Sequence, residues 1–219
     1  MSQTAITKTI TTVSEAEKQF NLVRTADLNF FSECRQNLSD LTDAEKAVLD
    51  RIKARYRYHR AKGHLAEGLV NLVVLSPLLE LAGFYDPPFQ MAGEVAVEVS
   101  TSVATSEVSE EILRGRIDFL VVSKNLWIAV LESKGTEINL DMAIPQTLAY
   151  MMANPDTEKP VFAMATNGGE FFFLKLNLQG TPQYDISRIF SHLPLQNEFY
   201  DVLQILKKLG KKIEVLDTN

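Results

Sequence analysis

Three charged residues stand inside runs that are otherwise apolar and β-branched: Asp118 in RIDFLVV, and Glu132 and Lys134 in LWIAVLESKG. Charge in a strand built for burial is costly unless something uses it. Glu132 and Lys134 are two apart, which on a strand puts both on one face and Ser133 on the other. Whether Asp118 joins them depends on the hairpin between the two runs. A two-residue turn at Lys124-Asn125 pairs Asp118 with Leu131 and leaves it on the face opposite Glu132. A three-residue loop, Lys124-Asn125-Leu126, or a single bulge brings Asp118 to the face of Glu132. Convergence of the three therefore requires an odd loop or a bulge.

If they converge, their types define the chemistry. Two carboxylates are hard oxygen ligands of the kind that hold Mg²⁺ while leaving it several waters, with Mn²⁺ a natural substitute. The backbone carbonyl of Ser133 can complete the protein's share of the shell. Lys134 can orient an attacking water or offset the charge that builds on phosphate in the transition state. The alternative is a cross-strand ion pair of Lys134 with Asp118 or Glu132. An E-x-K triplet alone does not decide between the two.

Positioning such a site needs a sheet with helices around it. Residues 1 to about 25 are polar and rich in Thr and Ser, and read as a loose or weakly helical lead-in. From Thr42 or Asp43 a capped helix runs to about Lys62, with Ala47, Val48, Ile52 and Tyr56 at helical spacing. A second helix starts near His64 and is expected to bury Leu65, Leu69, Leu72, Val73, Leu79 and Leu81, with Pro77 bending or restarting it and Gly83 ending it. Strand patterns follow at 94–101, 116–123 and 126–134, a helix at 141–153, and strands at 161–166 and 170–176 around an Asn167-Gly168-Gly169 turn. A last amphipathic helix covers about 197–209. The order implies a mixed α/β domain on one central sheet. Residues 1–62 read as an N-terminal extension with helices, 63–195 as the core and 196–219 as a C-terminal helix packed on it.

Taken in order, these segments resemble the PD-(D/E)XK nuclease superfamily, most closely the nuclease domain at the amino end of type I restriction enzyme motor subunits. EGLVNLVVLSPLLELAGF is similar to that family's first core helix, with Glu67 in the place of its helix acid. GRIDFLVV and LWIAVLESKG match the metal-binding hairpin, Gln146 to Tyr150 the Q-x-x-x-Y element, and ATNGGEFFFLKL the strand pair that follows. The match covers about residues 64 to 178. It implies a restriction-endonuclease-like αβββαβ core and Mg²⁺-dependent hydrolysis of DNA phosphodiester bonds. It also implies that Gln146 and Tyr150, four apart on one helix face, orient the phosphate or Lys134. Glu67 is either a ligand for a second metal or water, or a solvated helix carboxylate. Ile117 stands where the family name has Pro, a position that supplies no ligand. No G-x-x-x-x-G-K-[ST] phosphate loop occurs in the sequence, so the resemblance implies a motor or specificity subunit as partner.

The net charge is −6, yet six of the 22 basic residues fall in RIKARYRYHRAKGH: Arg51, Lys53, Arg55, Arg57, Arg60 and Lys62. They can track phosphates, with Tyr56 and Tyr58 stacking on bases or packing on the core, or they form a solvated helix face. His59, His64 and His192 have neither a metal spacing nor a dyad spacing. The single cysteine, Cys34, excludes an intrachain disulfide, reads as packing rather than nucleophile, and fits a reducing cytoplasm. No signal-like leader and no uninterrupted apolar span is seen. Two readings stand: a metal-dependent endodeoxyribonuclease, and a catalytically silent nucleic-acid-binding or interaction subunit of a restriction-like complex.

Overall fold

The computed structural model describes residues 3–102, 110–123, 126–132 and 140–216, with side chains for 5–100, 112–115, 140 and 142–211. The first residues are partly helical, as expected, but packed rather than loose. They form β1 (Gln3–Ala5), α1 (Ile6–Thr9), α2 (Val13–Phe20) and β2 (Val23–Arg24). Ile6, Ile10, Ala16, Phe20 and Leu22 are all buried. Elements this short carry too few residues to show a period, and β1 owes its existence to a distant partner, Gln3 pairing with Ile112. Thr12 and Glu15 cap α2 reciprocally, and Asn21 ends it in a left-handed conformation.

Thr42 opens α3 (Asp43–Arg60) with the same device, its Oγ1 accepting from the Glu45 N–H while the Glu45 carboxylate accepts from the Thr42 N–H. The helical stretch after Ala66 divides into α4 (Glu67–Val70), a π-helical turn at Asn71–Leu75 and α5 (Ser76–Leu81). The wide turn ends just before Pro77, whose ring would clash with the carbonyl four residues back in an unbroken α-helix. It also shifts the helical phase. Val70, Val74, Leu75 and Leu78 join Leu79 in the core, whereas Leu72, expected inside, is 71% exposed.

The remaining elements are β3 (Gln90–Ser102), β4 (Glu110–Ser123), β5 (Leu126–Glu132), α6 (Ala143–Met151), β6 (Val161–Thr166), β7 (Glu170–Asn177), β8 (Gln183–Ile186), β9 (Phe190–Ser191) and α7 (Phe199–Leu216). The strands form one mixed sheet in the order β1-β4-β5-β6-β7-β8-β2, with β3 on β4 and β9 on β7. The β5–β6 pair is parallel and α6 makes the crossover between its strands. The fold is thus mixed α/β with a central sheet flanked by helices, and helix, three strands, helix, two strands follow in the expected order.

Each face of the sheet has its own core. Phe162, Met164, Phe171 and Phe173 pack with α3, the π turn, α5 and α7. Ala163, Ala165, Phe172 and Leu174 pack with α6, and Ile6 and Ala16 belong to the same cluster. Strict alternation along β6 and β7 produces this division. Among the described residues no helix is long and apolar enough to cross a membrane.

Candidate functional site

Asp118 and Glu132 lie in β4 and β5, where the backbone alone is described, and Ser133 and Lys134 lie outside the described residues. The backbone register still locates the first two. Ser123 pairs with Leu126 and Phe119 with Val130, so the β4–β5 connection holds two residues and the odd loop is not present. Carried on unchanged, that register would set Asp118 opposite Leu131. Glu132 pairs with Thr166, on the same side of the sheet as Met164 and Phe162, which is the α3 side.

The register does not carry on unchanged. Leu120 pairs with Ala129 and hence with Ala163 on the α6 side, so even-numbered positions at this end of β4 face α6. Further back, Leu113 is buried in the α6-side core, and a Cβ on Gly115 would lie 2.3 Å from Cε1 of Tyr150 on α6 itself. There the odd-numbered positions face α6. The alternation therefore changes phase between Ile117 and Phe119, at Asp118.

Strand β3 shows the same change. Met91 borders a cavity of about 280 Å³ with Leu75 and Leu79 on the α3 side, whereas Val97 and Val99 lie in the α6-side core. The two strands stay in one register, Gly93 opposite Phe119 and Val95 opposite Ile117, and only Glu94 and Asp118 fall between paired positions. Glu94 has φ 52, a left-handed conformation that side chains rarely adopt inside a strand. Counted from Ile117, Asp118 takes a register position on the face of Glu132; counted from Phe119, on the other. A bulge-like irregularity thus sits at Asp118, and the face that Asp118 takes depends on which side of it the count begins.

The β6–β7 turn gathers further elements at the end of the sheet where Glu132 stands. Its two glycines are close-packed on one side. A Cβ on Gly168 (φ +84) would meet Val70 Cγ1 at 2.5 Å, and one on Gly169 would meet Tyr56 Oη at 2.5 Å and His192 Nδ1 at 2.8 Å. The C-terminal half of α3 and the first turn of α4 are thereby locked to the turn that follows Thr166. Glu67 opens α4 three residues before Val70 and is half-buried. Asn167 Oδ1 accepts from the N–H groups of Gly169 and Glu170 and shapes the turn from inside. On the other face, Gln146 is half-buried and Tyr150 is buried against Gly115. That position has to be glycine because the tyrosine ring occupies the place of its side chain.

The basic helix separates into two groups. Arg51 and Arg55 face solvent on α3, and Lys62 lies beyond it with its ammonium 4.3 Å from the Tyr58 ring centre. Lys53 is buried instead. Its ammonium donates to the carbonyls of Pro194 (2.6 Å) and Gln196 (3.2 Å), and burial pulls its pKa down. Arg57 donates to the Leu193 carbonyl at 3.1 Å, and Arg60 to that of Gly63 at 3.3 Å. Tyr56 is core, edge-on to His192 with ring centres 4.9 Å apart, whereas Tyr58 is exposed.

Several polar residues escaped the sequence reading. Lys175 of β7 reaches both Glu33 oxygens, at 2.9 and 3.1 Å, and the Phe30 carbonyl at 2.6 Å. Its only sequence signal is a lone cation in FFFLKL; the partner lies 142 residues away. His192 Nδ1 bonds the Gly169 carbonyl at 3.0 Å, and burial lowers the imidazole pKa. Burial raises the Cys34 thiol far above its usual range, in keeping with a packing role. Among the described residues no group of three or more His, Cys, Asp or Glu stands together as a metal site.

No known protein family matches the chain, and no curated protein matches it. Among solved structures the chain is distantly similar to one described as a fragment of a type I restriction enzyme HsdR subunit from Vibrio vulnificus YJ016. The two are 20% identical with a TM-score of 0.40, over 71% of this chain and 28% of that one. The chain therefore spans less than a third of that structure's length.

Proposed function

We propose that the protein is a Mg²⁺-dependent nuclease that hydrolyses DNA phosphodiester bonds, built on a restriction-endonuclease-like core, and that it acts beside a motor or specificity subunit. The observation that supports this most is the change of strand phase at Asp118, because convergence with Glu132 needs an irregularity there and an uninterrupted hairpin would forbid it.

The donor set fits the metal: two carboxylates, Asp118 and Glu132, with the Ser133 carbonyl, are hard oxygen ligands. Bound there, Mg²⁺ supplies a Lewis acid for a phosphate oxygen and a coordinated water of lowered pKa. Lys134 orients the attacking water or offsets charge developing on the phosphate. Glu67 takes a second ion or a water, while Gln146 and Tyr150, on the α6 side opposite the face of Glu132, support the sheet behind the site, Tyr150 by filling the space over Gly115. Arg51, Arg55, Arg57, Arg60 and Lys62 attract the DNA backbone, while Lys53 serves them by holding the 194–196 loop.

The test is cleavage of linear, nicked and single-stranded DNA with Mg²⁺ or Mn²⁺ against a chelator control. Asp118→Ala is expected to lose at least about 100-fold in rate, in line with removal of a group that acts in the transition state. Equal cutting by Asp118→Ala sinks the assignment. The exposed Arg51 and Arg55 favour one other reading, a silent nucleic-acid-binding subunit of a restriction-like complex. That protein would bind with strong salt dependence, without need of metal, and cut nothing.

A further inference from the structure

Residues 193–197 run along α3 for about two turns in the reverse direction, held at every step. Arg57 takes the Leu193 carbonyl, Lys53 the Pro194 and Gln196 carbonyls, and Asp50 accepts from Asn197 Nδ2 at 2.9 Å. A buried ammonium on successive loop carbonyls is an unusual commitment for a surface turn. What it holds out is apolar: Leu193 is 67% exposed and Leu195 100% exposed. Alongside lies a floor of small residues. At about 100° per residue, Ala54 and Ala61 fall between the stripe that grips the loop and the stripe carrying Arg51, Arg55 and Tyr58. Both alanines are exposed.

We propose that this loop is a wedge for duplex DNA: Leu195, with Leu193 beside it, enters the minor groove and partly unstacks a base step while Arg51 and Arg55 hold the adjoining phosphates. The inference rests on the DNA reading above and deepens it. Three features favour nucleic acid over a protein partner. The two leucines are an apolar edge with charged neighbours, Lys53 and Arg57 beneath it and Asp50 and Glu198 at its C-terminal end, whereas the centre of a protein interface is depleted of charge. The neighbouring exposed stripe is basic in a chain of net charge −6. The loop is rigidly supported, as a wedge must be to unstack bases rather than fold away.

The experiment is fluorescence anisotropy of a short labelled duplex, with Ca²⁺ in place of Mg²⁺ so that binding is read without cutting, together with 2-aminopurine emission to report unstacking. Leu193→Ser with Leu195→Ser is expected to weaken binding about tenfold, abolish the 2-aminopurine rise and leave the salt dependence unchanged. Arg51→Gln with Arg55→Gln is expected to reduce the salt slope by about 1.8. Because both leucines are solvent-exposed, circular dichroism of the leucine variant should match wild type. Unchanged affinity and emission in that variant, with wild type binding and cutting DNA, overturns the wedge alone. A wild-type protein that neither binds nor cuts overturns the nuclease reading and the wedge with it.

Discussion

The β6–β7 pair and the β3–β4 pair lie in one sheet, yet every residue of β6 is buried and its register with β7 is unbroken, whereas β3 is largely exposed from Gln90 to Ala96 and breaks at Glu94. In the first pair a two-glycine turn is clamped by Tyr56, Val70 and His192. In the second the break coincides with the acidic residue that the sequence marks for chemistry. The two pairs carry charge on different terms. A cation inside the closed pair requires a buried counter-ion, as Lys175 has in Glu33. In the exposed, irregular pair charge stays in reach of water, as in the 2.7 Å ion pair of Glu98 with Arg114, so the cost of burial does not arise there.

The largest effect is expected at Lys175. Lys175→Met should destabilise the protein by about 3–5 kcal/mol, because it takes from the buried Glu33 the ammonium that donates to both of its oxygens. Adding Glu33→Leu should recover most of that loss. Urea unfolding of the single and double variants measures both, and a double variant no better than the single would show that the pair's charge is not what matters.

Next in size is the turn. Gly168→Ala combines about 1–2 kcal/mol for a left-handed residue with about 1–3 kcal/mol for overpacking Val70. A loss of about 3 kcal/mol, or roughly 9 °C in Tm, is expected by calorimetry. The open pair should respond with the opposite sign. Glu94→Gly removes left-handed strain of about 1 kcal/mol and restores part of it as chain entropy, for a net gain of about 0.5 kcal/mol. A loss above about 1 kcal/mol would mean that the Glu94 side chain, and not the backbone turn, maintains the break.

The smallest effect is one of pH. His192 is held neutral by burial, so its folded pKa lies below the unfolded value and the unfolded chain binds more protons between the two. Its contribution is complete above the ordinary histidine range and is lost as pH falls through the folded pKa. Arg57 and Lys53 disfavour its protonation as well, and Glu170 and the Gly169 carbonyl oppose them. Stability of wild type relative to His192→Gln should therefore fall between pH 7 and pH 5, as read from urea midpoints. A constant difference would place His192 outside the titrating groups.

Local pattern made much of this legible. The β6 strand, the Gly168-Gly169 turn and the capped start of α3 appear where the residues predict them, since β-branching, turn chemistry and Thr-x-x-Glu act within a few positions. Leu72 faces solvent because a π turn changes the helical phase in a way no hydrophobic period reveals. The lead-in packs rather than hanging loose because β1 finds its partner in β4, far along the chain. Lys53 reads in sequence as one more cation in a basic run. Its burial depends on carbonyls 141 to 143 residues away.

The order of elements, the types of Asp118, Glu132, Lys134, Gln146 and Tyr150, and the basic helix are the sequence's own contribution, because composition and spacing act locally. The strand phase at Asp118 is not. Its two-residue connection to β5 was one of the alternatives open in the sequence, but the break at Glu94 and Asp118 arises from how two long strands must face different cores along their length. That is a tertiary demand, and it alone decides which side of the sheet a strand's charged residues can share.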